Sequence, residues 1–399
     1  MSEITRKILH VDLDAFFCSV EEKFDTSLKG KAFATGGSPD GRGVVSSCSY
    51  AARQHGIHSA MPMKLALRMY PQLMVVRGHF REYSNQSREV MKIINEMTPL
   101  VEQISIDEAF LDVSDLPADP KRIASDLQMA IFSKLNLPCS IGAATNKLVA
   151  KIATNVGKSN HRGNTPPMAI NVIDPGKEQS FLAPLPVIEM WGIGPKTAEE
   201  FNKMGIKTIG DIVKFPEDAL VKRFGNYAFD LIQRAKGIDD HPVSDLEGIK
   251  SVSNETTFFT DVKDREQLLL VIKQLSEKVA MRLRRKHLSG KTVKIKLRWP
   301  NFQTLTRQMT LTQPTNQDSI IYNSACELFK LEWSPGKPVR LIGVGVSHLS
   351  TEIQQLSLFN NSFQKEKKLL SAIDELRDRF GEKSIQKGID PVNYRSFKH

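Results

Sequence analysis

The sequence lacks several features that would point to particular classes of protein. Its four cysteines are spread over 399 residues without a Cys-x-x-Cys pair, which favours reduced thiols over a zinc site or a disulfide framework. No stretch approaches the roughly 18 apolar residues that a membrane-spanning helix needs, and no long apolar segment typical of a signal peptide opens the chain. We therefore expect a cytoplasmic protein without a membrane span.

Acidic residues are outnumbered by basic ones. The chain has 55 Lys and Arg against 45 Asp and Glu, which gives a net charge of +10 and a pI near 9.3. Such a surplus favours a polyanionic partner, although a solvated basic surface would produce the same count. The length is sufficient for two to four domains.

Two carboxylates follow an apolar run near the amino terminus, in the segment 8–22, which reads ILHVDLDAFFCSVEE. Asp12 and Asp14 are two residues apart, so they would share one face of a strand. The aromatic pair Phe16-Phe17 comes directly after them. Such a strand end could hold a hard cation against a phosphate, or it could simply lead into a solvated helix.

A second acidic pair, Asp107-Glu108, lies inside the segment 101–113, which reads VEQISIDEAFLDV. The β-branched and aromatic residues on both sides predict two strands, or a strand and a bend, with the acidic pair between them. If these strands neighbour the first one, Asp12, Asp107 and Glu108 could bind two divalent ions that bridge a triphosphate. An exposed hairpin tip is the alternative.

The order of elements predicts a ferredoxin-like split βαβ arrangement. The first strand is followed by a helix over 83–97, the acidic hairpin, a helix over 121–135 and a strand over 139–144. We expect 30–43 to be rich in loops and 71–77 to be a strand of the same main sheet.

Two further patterns are typical of contacts with a nucleic-acid backbone. The turn WGIGPKTA, with Gly192, Gly194 and Lys196, resembles a helix–hairpin–helix whose backbone N–H groups can approach a phosphate, although a tight helix–helix turn also needs glycine. Further on, period-2 alternation predicts a strand with an apolar face and a face carrying Lys294, Lys296 and Arg298. That basic face would follow phosphates or be solvated.

Four segments together resemble the Y-family, or translesion, DNA polymerases, and among them the bacterial enzymes. They read HVDLDAFFCSVE at 10–21, SCSYAAR at 47–53, SIDEAFLDV at 105–113 and NKLVAKIATNVGKSN at 146–160. The resemblance covers nearly all of the chain in the family's order. It implies an α+β right-hand fold with these parts: a palm at 1–18 and 76–169, fingers at 19–75, a helical thumb with the helix–hairpin–helix at 170–238, a linker at 239–250, a little finger at 251–350 and a tail at 351–399.

The resemblance also implies roles for individual residues. Asp12, Asp107 and Glu108 would be the catalytic carboxylates and would hold two Mg²⁺, or Mn²⁺ in their place, with the Leu13 carbonyl as a further ligand. Phe17 would be the steric gate against ribonucleotides, while Asp14 and the histidines His10, His55 and His58 are interpreted as structural or surface residues. The incoming triphosphate would be held by Ser47, Tyr50, Arg53 and Lys158, with Phe16 supporting the sugar pocket.

A short peptide in the tail, QLSLF, resembles the motif by which bacterial polymerases dock on the sliding clamp. Its anchors would be Gln355, Leu356, Leu358 and Phe359, although the motif is followed here by 40 residues that include a helix over 365–380.

The resemblance as a whole implies a monomeric, low-fidelity polymerase without proofreading. Its partners would be primer–template DNA, deoxynucleoside triphosphates and the clamp.

Two other functions fit parts of the pattern. A nucleotidyl cyclase would also use paired carboxylates and two metal ions on such a palm, but it needs neither a helix–hairpin–helix nor a basic strand. A DNA-binding or clamp-associated protein with a vestigial palm would need those two features, but not Tyr50, Arg53, Lys158 or the acidic set.

Overall fold

The computed structural model describes residues 5–244, 248–351, 361–381 and 384–385, and the side chains of 361–368 are outside the description. The chain divides into two compact units, 1–247 and 248–399, and each is described by itself. The boundary falls inside the predicted linker at 239–250. No helix among the described residues is long and apolar enough to cross a membrane.

The first unit alternates short strands with helices. Its strands are β1 (Ile8–Leu13), β2 (Phe33–Gly36), β3 (Val45–Cys48), β4 (Met74–Val76), β5 (Val101–Gln103), β6 (Glu108–Asp112), β7 (Cys139–Ala144) and β8 (Ile170–Val172). Its helices are α1 (Phe16–Phe24), α2 (Tyr50–Arg53), α3 (Met63–Met69), α4 (Phe80–Met97), α5 (Pro120–Leu135), α6 (Lys147–Ser159), α7 (Glu178–Leu182), α8 (Pro195–Lys203), α9 (Ile209–Lys214), α10 (Glu217–Phe224) and α11 (Tyr227–Ala235).

A five-stranded sheet with the order β5-β6-β1-β7-β8 forms the centre of this unit. Strand β1 pairs antiparallel with both β6 and β7, and β5 and β6 form the predicted acidic hairpin. Odd-numbered β1 residues such as Leu9 and Val11 pack with α4 and α5, whereas Ile8 on the opposite face packs with α6. The predicted succession of strand, helix, hairpin, helix and strand is therefore confirmed.

A separate three-stranded sheet has the order β3-β2-β4, and it corrects one prediction. The strand predicted over 71–77 does form, as β4, but its partner is β2 in a parallel pairing, so its assignment to the main sheet is wrong. The segment 30–43 contains the short strand β2 but is otherwise without helix or strand, so the prediction that it is rich in loops holds for most of it. Because β2 is only four residues long and ends at Gly36, its sequence gives little strand signal.

Helices α7 to α11 form the helical part of the first unit around buried residues such as Phe201, Ile212 and Leu231. The predicted start of this part, residue 170, is too early, because Ile170 pairs with Ile141 and β8 extends the main sheet. The predicted helix–hairpin–helix contains a turn of 3₁₀-helix at Val187–Glu189, followed by α8 with Pro195 in its first turn.

The second unit is a smaller α+β fold. Its elements are β9 (Ser251–Val262), α12 (Arg265–Arg285), β10 (Leu288–Arg298), β11 (Thr304–Thr315), α13 (Asp318–Glu332), β12 (Val339–Thr351) and α14 (Asn361–Phe380). The antiparallel sheet has the order β11-β10-β12-β9, and α12 and α13 pack on one face of it. Asp264 caps α12 by accepting a hydrogen bond from the Gln267 amide at 2.7 Å.

Candidate active site

The acidic residues predicted from the sequence meet at one end of the main sheet. Asp12 in β1 lies directly opposite Glu108 in β6, and the Leu13 amide donates to the Asp107 carbonyl at 2.9 Å. Opposite residues of an antiparallel pair point to the same face, so the pairing of the two strands brings the carboxylates together. The predicted neighbourhood of the two acidic stretches is confirmed.

The carboxylate of Asp12 pairs with Lys158, which lies in the last turn of α6. The Lys158 ammonium lies 2.6 Å from an Asp12 oxygen and 3.3 Å from Asp14. Burial opposes the charged form of Lys158, but the two carboxylates outweigh it and raise the pKa of the lysine. Lys158 is therefore a fixed positive charge at the edge of the acidic cluster.

The carboxylate of Glu108 has two partners on the same oxygen. The Lys151 ammonium donates to Oε2, and Nε2 of the buried His10 lies 3.3 Å from it. The hydrogen bond with His10, followed by the bond and charge of Lys151, holds the pKa of Glu108 at about 2 although burial opposes this. Glu108 is therefore a firmly ionised carboxylate.

Asp107 differs from Glu108 in that no lysine within the described part of the chain forms an ion pair with it. Burial, with smaller contributions from the charges of Asp12 and Glu108, raises the pKa of Asp107 above its usual value. The hydrogen bond that its carboxylate accepts from the Ser105 hydroxyl opposes this rise only in part. A carboxylate in this setting gains the most from a nearby cation.

The donor chemistry of this cluster fits a hard divalent ion, because carboxylate and carbonyl oxygens are the ligands that Mg²⁺ and Mn²⁺ prefer. However, within the described ranges no three His, Cys, Asp or Glu side chains are close enough to hold a metal ion. Asp12, Leu13 and Asp107 line one cleft, whereas the Glu108 oxygen Oε2 is engaged by Lys151 and His10. The residues fit such an ion in chemistry, and Glu108 would have to turn toward the cleft to join Asp12 and Asp107 there.

Asp14 is fully buried beside the cluster and has a structural position, in keeping with its interpretation from the sequence. Its carboxylate accepts hydrogen bonds from the Ser140 hydroxyl at 2.9 and 3.0 Å, the Met168 amide at 3.1 Å and the Tyr50 hydroxyl at 3.4 Å. Burial raises the pKa of Asp14, and Lys158 opposes the shift. These contacts connect β1 to α2, to β7 and to the segment before β8.

A cleft of about 210 Å³ brings most of the predicted nucleotide-binding residues together. It is lined by Asp12, Leu13, Ala15, Phe16, Phe17, Ser46, Ser47, Arg53, Ser59, Asp107 and Lys158. The Arg53 guanidinium lies 4.8 Å from the centre of the Tyr50 ring and donates to the Cys48 carbonyl at 3.4 Å. The cleft therefore combines acidic groups with cationic and hydroxyl groups.

Phe17, in the first turn of α1, is held in place by other aromatic rings. It stacks on Tyr83 with 4.3 Å between ring centroids and meets Phe80 edge-on at 6.0 Å. The Tyr83 hydroxyl donates to Glu21, which also accepts from the His79 amide at 3.1 Å. Tyr83 and Glu21 were missed by the sequence analysis, because nothing in α4 distinguishes Tyr83 from an ordinary core residue.

His10 and Lys151 were also not predicted as members of the site. His10 was interpreted as structural or surface, and the structure places it in the buried space between Glu108 and Thr154. A signal does exist for Lys151, because it stands seven residues before Lys158 and positions i and i+7 share one face of a helix.

The predicted DNA contacts in the helical part lie at the start of α8. Gly192 has φ +94°, a left-handed conformation that favours glycine, and Gly194 caps the helix. Lys196 is exposed in the first turn. The glycines thus satisfy a turn that both the helix–hairpin–helix and the tight-turn interpretation require.

The predicted basic strand of the second unit is confirmed as β10. Val293, Ile295 and Leu297 are buried beneath α12 and α13, and their alternating neighbours Lys294, Lys296 and Arg298 point to the other face. On that face Lys296 pairs with Glu255 at 2.7 Å, and Arg298 donates to the Thr304 hydroxyl at 2.8 Å. The predicted clamp motif, Gln355, Leu356, Leu358 and Phe359, lies outside the described residues.

Three family models match the chain in the order of its parts. The impB/mucB/samB family matches residues 11–155, the IMS family HHH motif matches 175–206, and the impB/mucB/samB family C-terminal domain matches 249–358. The first covers the acidic cluster, the second the turn with Gly192 and Gly194, and the third the basic strand.

Curated relatives extend over almost the whole chain. DNA polymerase IV of Dehalococcoides mccartyi (strain CBDB1) is 38% identical over 387 residues, covering 96% of this chain and 97% of its own length. DNA polymerase IV of Bacillus anthracis is 37% identical over 394 residues, covering 96% of this chain and 93% of its own length.

Solved structures share the fold. A Y-family DNA polymerase chimera, Dbh-Dpo4(243-245)-Dbh, has a TM-score of 0.76 at 24% identity and covers 87% of this chain and 100% of its own. An insertion ternary complex of Dbh DNA polymerase has a TM-score of 0.62 at 24% identity, with the same coverage. The α+β right-hand architecture predicted from the sequence is therefore confirmed, and the relatives favour neither a cyclase nor a vestigial binder. The chain belongs to the Y-family of translesion DNA polymerases, within the DNA polymerase IV group, and is a DNA-directed DNA polymerase.

Proposed function

We propose that this chain extends a primer along damaged as well as undamaged template DNA in the cytoplasm, with low fidelity and without proofreading. The observation that carries the proposal is the register of β1 with β6, which sets Asp12 opposite Glu108 beside a cleft containing Asp107, Phe17, Arg53 and Lys158. The substrates are primer–template DNA and deoxynucleoside triphosphates. The enzyme acts as a monomer.

The cationic and hydroxyl groups of the cleft form the site for the triphosphate. Arg53 presents a planar fork that suits phosphate oxygens, while Ser47 and Tyr50 offer hydroxyl donors. Lys158 adds a compact charge beside Asp12, with which it forms an ion pair. Together these groups would stabilise the charge that develops on the phosphates and the leaving pyrophosphate.

The acidic groups at the cleft form the metal site. Asp12, Asp107, Glu108 and the Leu13 carbonyl would hold two Mg²⁺, which Mn²⁺ could replace. Such ions lower the pKa of the primer 3′-hydroxyl and neutralise phosphate charge. The raised pKa of Asp107 is consistent with a carboxylate placed to receive a cation.

Phe17 is the sugar gate, with Phe16 supporting the sugar pocket. Its ring lines the cleft and is backed by Tyr83, so it has little room to retreat from a ribose 2′-hydroxyl. DNA would be held by Gly192, Gly194 and Lys196 in one unit and by Lys294, Lys296 and Arg298 in the other, through phosphates and therefore without sequence preference. The QLSLF segment, with Gln355, Leu356, Leu358 and Phe359, would dock on the sliding clamp.

The deciding experiment is primer extension with Mg²⁺ and deoxynucleotides, on an undamaged template and on one with a single damaged base. The natural protein is compared with the double variant Asp107→Asn/Glu108→Gln, which should lose at least about a thousandfold in rate. Glu102→Gln is the matched control, because Glu102 is an acidic residue of the same hairpin that pairs with Lys147 instead of lining the cleft.

Retained extension by the control together with loss in the double variant would support the proposed site. Extension by the double variant at the natural rate would contradict it, and arrest of the natural protein at the damaged base would contradict the translesion role.

A further inference from the structure

One face of α6 carries three lysines, each paired with a carboxylate from a different strand of the main sheet. Lys147 pairs with Glu102 of β5 at 2.8 Å, Lys151 pairs with Glu108 of β6, and Lys158 pairs with Asp12 of β1 at 2.6 Å. We refer to Lys147, Lys151 and Lys158 as the lysine row. Two of its three members therefore engage carboxylates of the proposed metal site.

The partner of the middle lysine is held most firmly. Oε2 of Glu108 is approached by both the Lys151 ammonium and His10 Nε2. The His10 side chain is completely buried, and its Nδ1 lies 2.9 Å from the Thr154 hydroxyl. His10 Nε2 also lies 3.4 Å from the Lys151 ammonium, so His10, Lys151 and the Glu108 carboxylate form one contact group.

The surroundings of Lys151 restrict it further. Its ammonium lies 5.6 Å from the centre of the Trp191 ring, and its side chain is 13% exposed. A cation held between a carboxylate and an aromatic face loses little by staying there. Lys151 is therefore a built-in counter-ion, in contrast to a mobile surface lysine.

These contacts of Glu108 separate its carboxylate from those of Asp12 and Asp107. Asp12 and Asp107 face the cleft, while Glu108 is engaged on the α6 side, and no metal-holding group of three forms among the described residues. We propose that Lys151 and His10 are positioning residues which hold the Glu108 carboxylate against α6, so that a divalent ion competes with the Lys151 ammonium for this carboxylate. This inference rests on the proposed metal site.

The physical reason is charge compensation. Carboxylates brought together by the strand register repel one another, and the repulsion grows as water is excluded. Lysines at positions 151 and 158 neutralise this charge while no metal is bound. Because the same carboxylate cannot be fully available to an ammonium and a divalent ion at once, the two cations compete for it.

The test measures binding of Mn²⁺ alone to the full chain, without DNA or nucleotide, from the electron paramagnetic resonance signal of free Mn²⁺. Lys151→Met keeps the length and helix propensity of the side chain and removes its charge. The affinity for Mn²⁺ should rise at least about fivefold, because the competing cation is gone. Lys151→Arg should keep the natural affinity, and Lys151→Gln serves as a second neutral variant.

Lys147→Met is the matched control. Lys147 lies on the same helix face, pairs with a strand carboxylate in the same way and is similarly buried, with 10% of its side chain exposed. Glu102 does not line the cleft, so this variant should bind Mn²⁺ as the natural protein does. An effect of α6 packing in general would appear equally in both methionine variants.

Thermal unfolding gives a second readout. In EDTA, Lys151→Met should melt below the natural protein, because Glu108 loses a partner, and added Mn²⁺ should raise its melting temperature more than that of either the natural protein or Lys147→Met. The Mg²⁺ concentration for half-maximal primer extension should fall in parallel.

The outcomes separate this inference from the proposed function. If the natural protein extends primers and binds Mn²⁺, but the neutral Lys151 variants bind it no more tightly than Lys147→Met, the positioning role is wrong and the metal site stands. If the natural protein neither extends primers nor binds Mn²⁺, the proposed function fails and this inference fails with it.

Discussion

Two rows of cationic side chains lie on one helix and one strand of this protein. The row on the helix is largely buried, whereas the row on the strand is partly exposed. On α6, Lys147, Lys151 and Lys158 are largely buried, and each is paired with a carboxylate of a neighbouring strand. On β10, Lys294, Lys296 and Arg298 are partly exposed on the open face of a sheet.

The partners of the second row are exposed as well. Lys296 has a salt bridge with Glu255, whose side chain is 48% exposed. Exposed pairs of this kind contribute little to stability and are screened by salt, whereas buried pairs fix geometry and are costly to break. The α6 row is therefore suited to arranging an active site, and the β10 row to attracting a polyanion. Charge alone does not distinguish these roles, but burial does.

The largest difference should appear when one member of the buried row is removed. In Lys158→Met the cleft loses a charge placed against the proposed triphosphate site, and we expect kcat/KM for a deoxynucleotide to fall about a hundredfold to a thousandfold. DNA affinity, measured by fluorescence anisotropy, should stay near the natural value. A fall in DNA affinity as large as the fall in kcat/KM would erase the distinction between the rows.

An uncharged residue of the same cleft should give a smaller and more selective effect. Phe17→Ala opens the space in front of Tyr83, so discrimination against ribonucleotides should fall about tenfold to a hundredfold. The measurement is the ratio of kcat/KM for matched deoxy- and ribonucleotides. Phe24→Ala is the control, because Phe24 is an exposed aromatic in the same helix and does not line the cleft. Unchanged discrimination in Phe17→Ala would remove this ring from the gate.

The smallest effect per residue should come from the exposed row. The triple variant Lys294→Gln/Lys296→Gln/Arg298→Gln should bind DNA of every sequence more weakly, and the slope of log affinity against log salt should flatten by about three. At saturating DNA, its nucleotide kinetics should match those of the natural protein. If the slope is unchanged, this sheet face is a solvated surface.

The sequence predicts those features that depend on local pattern. The alternation along β10 and the strand β7 over Cys139–Ala144 both appear as expected, because each is encoded within a few neighbouring residues. The convergence of the two acidic stretches is predicted as well, since the hairpin and the first strand each carry carboxylates at a strand end.

The errors come from pairings between distant segments. Strand β4 has only three residues, and nothing within them indicates that their partner is β2 instead of β1. The same applies to β8, which was assigned to the helical part although it pairs with β7. The contacts of His10 and Lys151 with Glu108 join β1, α6 and β6. A histidine without the spacing of a metal ligand gives no reason to expect these contacts.

The buried carboxylate of Asp14 has a consequence for how the first unit folds. Its partners Tyr50, Ser140 and Met168 lie 36, 126 and 154 residues further along the chain. Each of these contacts closes a long loop of the chain. Closing such loops costs conformational entropy before the contacts can stabilise the fold, so we expect them to form late in folding. The small sheet and the main sheet should therefore exchange their amide hydrogens as one cooperative block. Opening at β7, at α2 or before β8 would each deprive the buried Asp14 carboxylate of a hydrogen-bond partner in the interior.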